Sequence, residues 1–276
     1  MNLSEKLFIV FISFFCASIL QAQVSISPTS LFIDHQQKFA TLLVMNGTDS
    51  KQEVSLEFPF AYPDADSTGQ IHMVYDNQAM ASKYSIADGV KGFPRNFILE
   101  PGKRQAIRLT VKPGKQYKDG MYWTRIKTIS NPESPPVGPA EGNNINPQIT
   151  FKFEQVTTLF YKVGKLNTGL TIQGIKVDLN GEKSAVITEV NVEGNSPYLG
   201  TMNLDIKDAS GKSVLTQRVF VSIYMNDTRR IEFNGSGLKS GEYTAELSFT
   251  TERGDIPQKD IVQAPPVSQN VRFSVQ

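Results

Sequence analysis

The sequence predicts an all-β protein of two sandwich domains in tandem, and three observations support this prediction. Short stretches of alternating apolar and polar residues, or of β-branched residues, recur along the chain with turn formers between them. After residue 22, no stretch keeps apolar residues at helical spacing between capping residues. The length of 276 residues corresponds to about two domains.

Composition and charge exclude several classes of protein. The 28 Lys and Arg residues balance 27 Asp and Glu residues, so the net charge of +1 provides no basic surface for nucleic acid. Hydrophobic residues make up 39% and charged residues 20%, which argues against a disordered chain, a coiled coil and a multi-span membrane protein. We therefore expect no nucleic-acid partner and no stable membrane insertion.

The first 22 residues have the pattern of an export signal. Lys6 precedes an uncharged run of 14 residues from Leu7 to Leu20, and Ala22 provides a small residue at the cleavage position. The run is shorter than the roughly 18 apolar residues that span a bilayer as a helix. Cys16, the sole cysteine, lies within it, so the mature chain has no disulfide. We expect a cleaved signal peptide at 1–22 and a periplasmic location.

The first half of the mature chain, residues 23–163, is expected to form one antiparallel sandwich. Turn formers such as Asn46-Gly47 and Pro101-Gly102 interrupt the apolar alternation. The predicted strands are Val24 to Ile26, Ala40 to Met45, Glu53 to Phe58, Asn96 to Leu99 and Gln105 to Val111.

The second half, residues 164–276, repeats this plan after a break of small and polar residues at 163–169. The segment around Gly120 and Tyr122 resembles the one around Gly241 and Tyr243, where each tyrosine is expected to bury its ring while its hydroxyl bonds to backbone. The predicted strands are Thr171 to Val177, Ala185 to Val192, Thr201 to Ile206, Val214 to Tyr224, Thr228 to Phe233, Tyr243 to Thr250 and Val271 to Val275.

A proline-rich loop is predicted from Asn131 to Pro147, because its composition is unsuited to a strand ladder. After it, Ile149, Phe151 and Phe153 alternate with polar residues and form the apolar face of a strand. Two interpretations remain open. The face packs into the core of its own domain, or it is offered to another polypeptide as an added strand.

Several segments, in order along the chain, resemble the periplasmic chaperones of pilus and fimbria assembly, the PapD-like chaperone-usher type. They are Val24 to Asp34, Ala40 to Asn46, Leu99 to Leu109, and Ile149 to Phe153 followed by Thr158 to Lys162. The resemblance implies two immunoglobulin-like β-sandwich domains in tandem. It also implies a chaperone that caps exported pilus or fimbrial subunits by donor-strand complementation, with Ile149, Phe151 and Phe153 on the donor strand. An outer-membrane usher is a further candidate partner.

Two positions depart from the pattern of that family, whose members anchor the terminal carboxylate of the subunit with basic residues. The matching positions are Ser30 and Thr158, and neither carries a charge. A charge-assisted clamp therefore needs another base, such as Lys162 or Lys38. The candidate carboxylate cleft consists of Ser30, Thr158 and Lys162.

Other chemistry has little support in the sequence, and we expect no enzyme activity, metal or cofactor. Asp64 and Asp66 have the spacing that begins a calcium loop, but Tyr75 stands where the loop needs a bidentate carboxylate. His35 and His72 form no pair at ligand spacing. The rival interpretation is a structural or adhesive envelope protein, in which the face of Ile149, Phe151 and Phe153 is sealed in its own core. Exposure of that face discriminates between the two.

Overall fold

The computed structural model describes residues 23–34, 36–112, 114, 116–133, 151–179 and 183–276. The expected signal peptide at 1–22, His35, Ile149 and residues 134–147 of the expected loop lie outside these ranges. Within them the chain is built mainly of strands, which confirms the all-β prediction. No helix of the described part is long and apolar enough to cross a membrane.

The first half forms two facing sheets and a separate hairpin. One sheet has the strand order β1-β3-β9-β7, the other the order β2-β11-β10-β4-β8, and β5 and β6 form the hairpin. Leu42, Ile107 and Leu159 lie in the core between the sheets. The elements are β1 (Val24–Ser27), β2 (Ser30–Ile33), β3 (Phe39–Asn46), β4 (Gln52–Glu57), β5 (Tyr62–Ala65), β6 (Ile71–Val74), α1 (Gln78–Tyr84), β7 (Val90–Phe93), β8 (Asn96–Leu99), β9 (Arg104–Val111), β10 (Gly120–Pro132) and β11 (Phe153–Val163).

The second half forms another pair of sheets, with the strand orders β12-β13-β16 and β15-β14-β17-β18. Its core is separate and includes Val186, Leu204 and Phe249. The strands are β12 (Thr168–Asp178), β13 (Ser184–Gly194), β14 (Tyr198–Asp208), β15 (Ser213–Ile223), β16 (Asp227–Phe233), β17 (Gly241–Thr250) and β18 (Val267–Val275). A domain division at 163/164 stays a prediction.

The two similar segments around Tyr122 and Tyr243 have the same local structure. The Tyr122 hydroxyl donates to the carbonyl of Lys118 at 3.0 Å, and the Tyr243 hydroxyl donates to the carbonyl of Lys239 at 2.9 Å. Each bond reaches back four residues, so each hydroxyl closes the corner that leads into a strand. The expected bond from each hydroxyl to the backbone is confirmed, while both rings are half-buried.

An aromatic cluster joins the two halves. Trp123 of β10 is buried, with its ring centroid 4.8 Å from that of Tyr84, 5.7 Å from that of Phe60 and 4.7 Å from that of Tyr224, which follows β15. Leu199, Ile256 and Ile261 complete the cluster from the second half. These side chains are packed as in a core, so the cluster holds the two halves together.

A buried ion pair lies beside this cluster, where the β5–β6 hairpin contacts β16. The Arg229 Nη2 lies 2.5 Å from the Asp227 Oδ2, and both side chains are almost fully buried. The other oxygen of Asp227 accepts the backbone N–H of Ala65 at 3.1 Å. Burial raises the pKa of Asp227 and lowers that of Arg229, and each partner's charge opposes the shift of the other.

Three sequence predictions need correction. Asn131 and Pro132 belong to β10, where they pair with Glu53 and Gln52 of β4, so the irregular segment starts later than predicted. The alternating segment enters its ladder only at Phe153, and Phe151 lies just before β11. Helix α1 was not predicted, because it has only seven residues and no fully buried face.

Candidate functional site

The first residues of β11 form an open sheet edge. From Phe153 to Thr157, β11 pairs with β10 on one side. The parallel strand β2 covers the other side, but its register starts at Thr158, which lies opposite Ser30. Within the described residues, the other edge of β11 from Phe153 to Thr157 therefore has no paired strand. Such an edge offers its backbone N–H and C=O groups to an added strand.

Large apolar side chains accompany this open edge. Phe151 is 65% exposed and Phe153 is 40% exposed. Phe153 has the same parity in the strand as Leu159, which is fully buried in the core of the first half. The core face of β11 thus continues beyond the part of β11 that β2 covers, and the apolar side chains of Phe151 and Phe153 are exposed there.

The opposite face of the edge carries a neutralised charge network. The Lys127 Nζ lies 2.8 Å from one carboxylate oxygen of Glu154, and the Lys152 Nζ lies 3.1 Å from the other. The hydrogen bonds that both lysines donate lower the pKa of Glu154, and the bond that Lys127 donates to Glu154 raises the pKa of Lys127. The Lys127 Nζ also lies 3.7 Å from Glu57. Because two lysines then face two glutamates, this face presents little net charge to a partner.

The three residues of the candidate carboxylate cleft lie on β2 and β11, but their surroundings differ from those expected. Ser30 and Thr158 are register partners in the parallel pair β2–β11. Lys162 lies further along β11, with its Nζ 3.2 Å from Asp260 and 4.7 Å from the centroid of the Phe32 ring. The base suggested as a clamp is therefore already paired with a carboxylate.

Arg125 is a positively charged residue beside Thr158 that was not among the residues predicted for the carboxylate cleft. Its Nη1 donates to the hydroxyl of Thr158, its Nε donates to the carbonyl of Ala61 at 3.0 Å, and its guanidinium lies 5.2 Å from the centroid of the Tyr224 ring. Its buried Nη2 has no hydrogen-bond partner among the described residues. An arginine inside the apolar sequence of β10, between Trp123 and Ile126, was the signal that could have identified it.

The other candidates from the sequence form no site. Asp66 lies in the turn of the β5–β6 hairpin, where its carboxylate accepts the N–H groups of Thr68 at 2.8 Å and Gln70 at 3.1 Å. The hydroxyl of Thr68 also donates to this carboxylate, and this bond, followed by the two backbone bonds, lowers the pKa of Asp66. Together these bonds explain the residue as a turn former. Among the described residues, no group of His, Cys, Asp and Glu side chains is placed to hold a metal.

Comparison with known proteins gives structural matches only, since no family model and no curated protein matches the chain. The crystal structure of the YadV chaperone aligns with a TM-score of 0.45 at 14% identity, over 91% of this chain and 100% of that one. The CsuC–CsuE chaperone and tip adhesion subunit pre-assembly complex from the Csu pili of Acinetobacter baumannii aligns with a TM-score of 0.44 at 11% identity, over 90% and 98%.

The class 5 fimbriae chaperone CfaA aligns with a TM-score of 0.43 at 12% identity, over 90% of this chain and 98% of that one. All three matches are chaperones, and two of them belong to fimbriae or pili. At these identities and TM-scores, the function of this chain has to be inferred from its own residues.

Proposed function

We propose that this chain is a periplasmic chaperone that holds an exported pilus or fimbrial subunit by donating the edge of β11. The observation that carries the proposal is the open edge from Phe153 to Thr157 together with the exposed rings of Phe151 and Phe153. A strand of the subunit would extend the sheet there, while the two rings and Ile149 fill an apolar groove of the subunit. No turnover and no cofactor are needed.

The exposed rings favour this function over the rival of a structural or adhesive envelope protein, in which the same face is sealed. Covering the exposed parts of Phe151 and Phe153 would remove roughly 200 Å2 of apolar surface from water. At about 25 cal/mol per Å2, this burial contributes about 5 kcal/mol before the entropic cost of association. The backbone hydrogen bonds between β11 and the added strand would fix the register of that strand.

A pull-down from envelope extract tests the proposal. The variant Phe151→Asp with Phe153→Asp is compared with wild type and with the control Phe220→Asp, which replaces a phenylalanine on β15 that is 45% exposed. We expect the double variant to lose the co-purifying subunit while its melting temperature stays that of wild type. Retention of the subunit by the stably folded double variant would refute the proposal.

We also propose that the subunit's terminal carboxylate binds in the cleft of Ser30, Thr158 and Lys162, with Arg125 as the charged group. The unpaired Nη2 of Arg125 and its bond to Thr158 support this assignment, because a guanidinium is suited to a carboxylate. Truncating the C-terminus of the subunit should weaken binding to wild type but not to Arg125→Gln. Lys165→Gln, at an exposed lysine, is the control.

An outer-membrane usher is the second partner that we propose, and the outer face of the sheet β1-β3-β9-β7 is its docking surface. Phe93 and Phe39 are exposed there, and the guanidinium of Arg108 lies 4.1 Å from the centroid of the Phe39 ring. The strands of this sheet contain no Asp or Glu, so the face suits an apolar segment with acidic residues. Phe93→Asp should abolish usher binding and leave subunit binding intact.

A further inference from the structure

The β5–β6 hairpin exposes large apolar side chains at alternate positions along β6. Ile71 is 61% exposed, Met73 is 38% exposed, and Tyr75, just after the strand, is 44% exposed. Val74 points to the other side and packs against the aromatic cluster between the halves. In the described part of the chain, β6 pairs with β5 alone. Three such side chains at period two form a stripe, which differs from singly scattered exposed residues.

The hairpin that carries this stripe is held in place by the second half of the chain. The N–H of Ala65 donates to Asp227 at 3.1 Å. At the turn, Gly69 has a φ of +79°, and a Cβ added there would lie 2.7 Å from the Cβ of Arg230. The turn is therefore packed closely on β16, and the stripe has a fixed position relative to both halves.

The stripe continues toward the open edge of β11. The base of the hairpin lies against β10, the strand beside β11. Val74 pairs with Tyr62 of β5, and the carbonyl of Ala61, just before β5, accepts hydrogen bonds from Trp123 and Arg125 of β10. Further along β10, Lys127 is the register partner of Val156, and its Nζ lies 2.8 Å from Glu154 on β11. Val156, two residues after Glu154 on the same face of β11, is also exposed. Apolar surface thus lies on both sides of a charge pair that is already compensated.

We propose that Ile71, Met73 and Tyr75 form a second contact surface for the subunit that β11 holds. This inference rests on the proposed function, because continuity with the edge of β11 is what identifies the occupant. A folded subunit paired with β11 extends beyond the added strand, and its apolar outer side chains would reach Val156 first and the hairpin next. The hairpin would then fix the orientation of the subunit, while β11 fixes its register.

Photo-crosslinking in cells that produce the full chain tests this inference. Benzoylphenylalanine replaces Met73, Phe153 or, as a control, Val214, an exposed apolar residue on β15 in the second half. After irradiation, the crosslinked proteins are identified by mass spectrometry. We expect the Met73 and Phe153 positions to capture the same exported subunit and the Val214 position not to capture it.

The outcomes separate this inference from the proposed function. Capture of the subunit from Phe153 alone overturns the hairpin surface and leaves the proposed function standing, whereas no capture from either position overturns both. A covalent dimer formed from Met73 identifies a second copy as the occupant and overturns the inference.

A kinetic measurement on the purified complex of the full chain with its co-purified subunit completes the test. We expect Met73→Ser with Tyr75→Ser to release the subunit about tenfold faster at an unchanged melting temperature. An unchanged release rate overturns the inference.

Discussion

The buried pair of Asp227 and Arg229 leads to a quantitative prediction for the joint between the two halves. Asp227→Asn removes one charge but keeps an oxygen that can accept the N–H of Ala65. Arg229 is then left buried without its carboxylate, and its Nε already has no hydrogen-bond partner within the described part of the chain. Breaking a buried pair from one side costs about 3–5 kcal/mol. With a urea m-value of about 3 kcal/mol/M, the unfolding midpoint should fall by at least roughly 1 M.

Urea unfolding followed by tryptophan fluorescence and circular dichroism measures this shift. Trp123 is the sole tryptophan of the chain and lies in the aromatic cluster at the joint, so its fluorescence reports on the contact between the halves. Coincident transitions by the two probes are required for a single free energy of unfolding. The double variant Asp227→Asn with Arg229→Met removes both charges and should recover more than half of the loss. A midpoint lowered by less than about 0.3 M in the single variant would refute the reasoning.

Three further predictions concern single contacts. Tyr243→Phe removes the hydroxyl that closes a sandwich corner, and it should lower the free energy of unfolding by about 1 kcal/mol in urea titrations. An unchanged free energy of unfolding would contradict this, because it would mean that water replaces the bond fully. Gly69→Ala should destabilise the protein more than Gly102→Ala. Both glycines have positive φ, but of the two only Gly69 has neighbours within 4 Å of an added Cβ. Equal decreases in the melting temperature of the two variants would contradict this. The hydrogen bonds of Glu154 lower its pKa, so NMR titration of its carboxyl carbon should give a midpoint below the ordinary 4.5. Their stabilising effect should be present at neutral pH and lost as the pH falls through that midpoint, and a midpoint at or above 4.5 would contradict the observed bonds.

Most of the strand framework could be predicted from the sequence, because period-two alternation and turn formers are local signals. The strand Gln105 to Val111, predicted after the turn of Pro101-Gly102, is found as β9, and the two corner tyrosines are found in equivalent places. The β5–β6 hairpin was missed because its acidic turn, around Asp64 and Asp66, was weighed as the start of a metal loop. Its position depends on contacts with β16, which are distant in sequence.

The candidate site was predictable only in part. The alternation ending at Phe153 identified an apolar strand face. Whether that face is covered depends on where the pairing with β2 begins, and this is set by the tertiary structure. Arg125 went unnoticed for a similar reason. Its importance comes from Thr158 and Tyr224, which are distant in the sequence. A charged residue within the apolar pattern of β10 could point to Arg125, but no local pattern could show that one of its N–H groups lacks a partner among the described residues.

The start of β2 at Ser30 also limits how far a strand that joins β11 can extend. Because β2 occupies the edge from Thr158 onward, an incoming strand that slides along β11 stops at Thr157. The free stretch from Phe153 to Thr157 measures about 17 Å at 3.3 Å per residue. Every second residue turns its N–H and C=O toward that side, so about two or three residues provide the ladder bonds. The protein itself thus sets where a paired segment has to stop on β11, and partners with different side chains can be held in one common register.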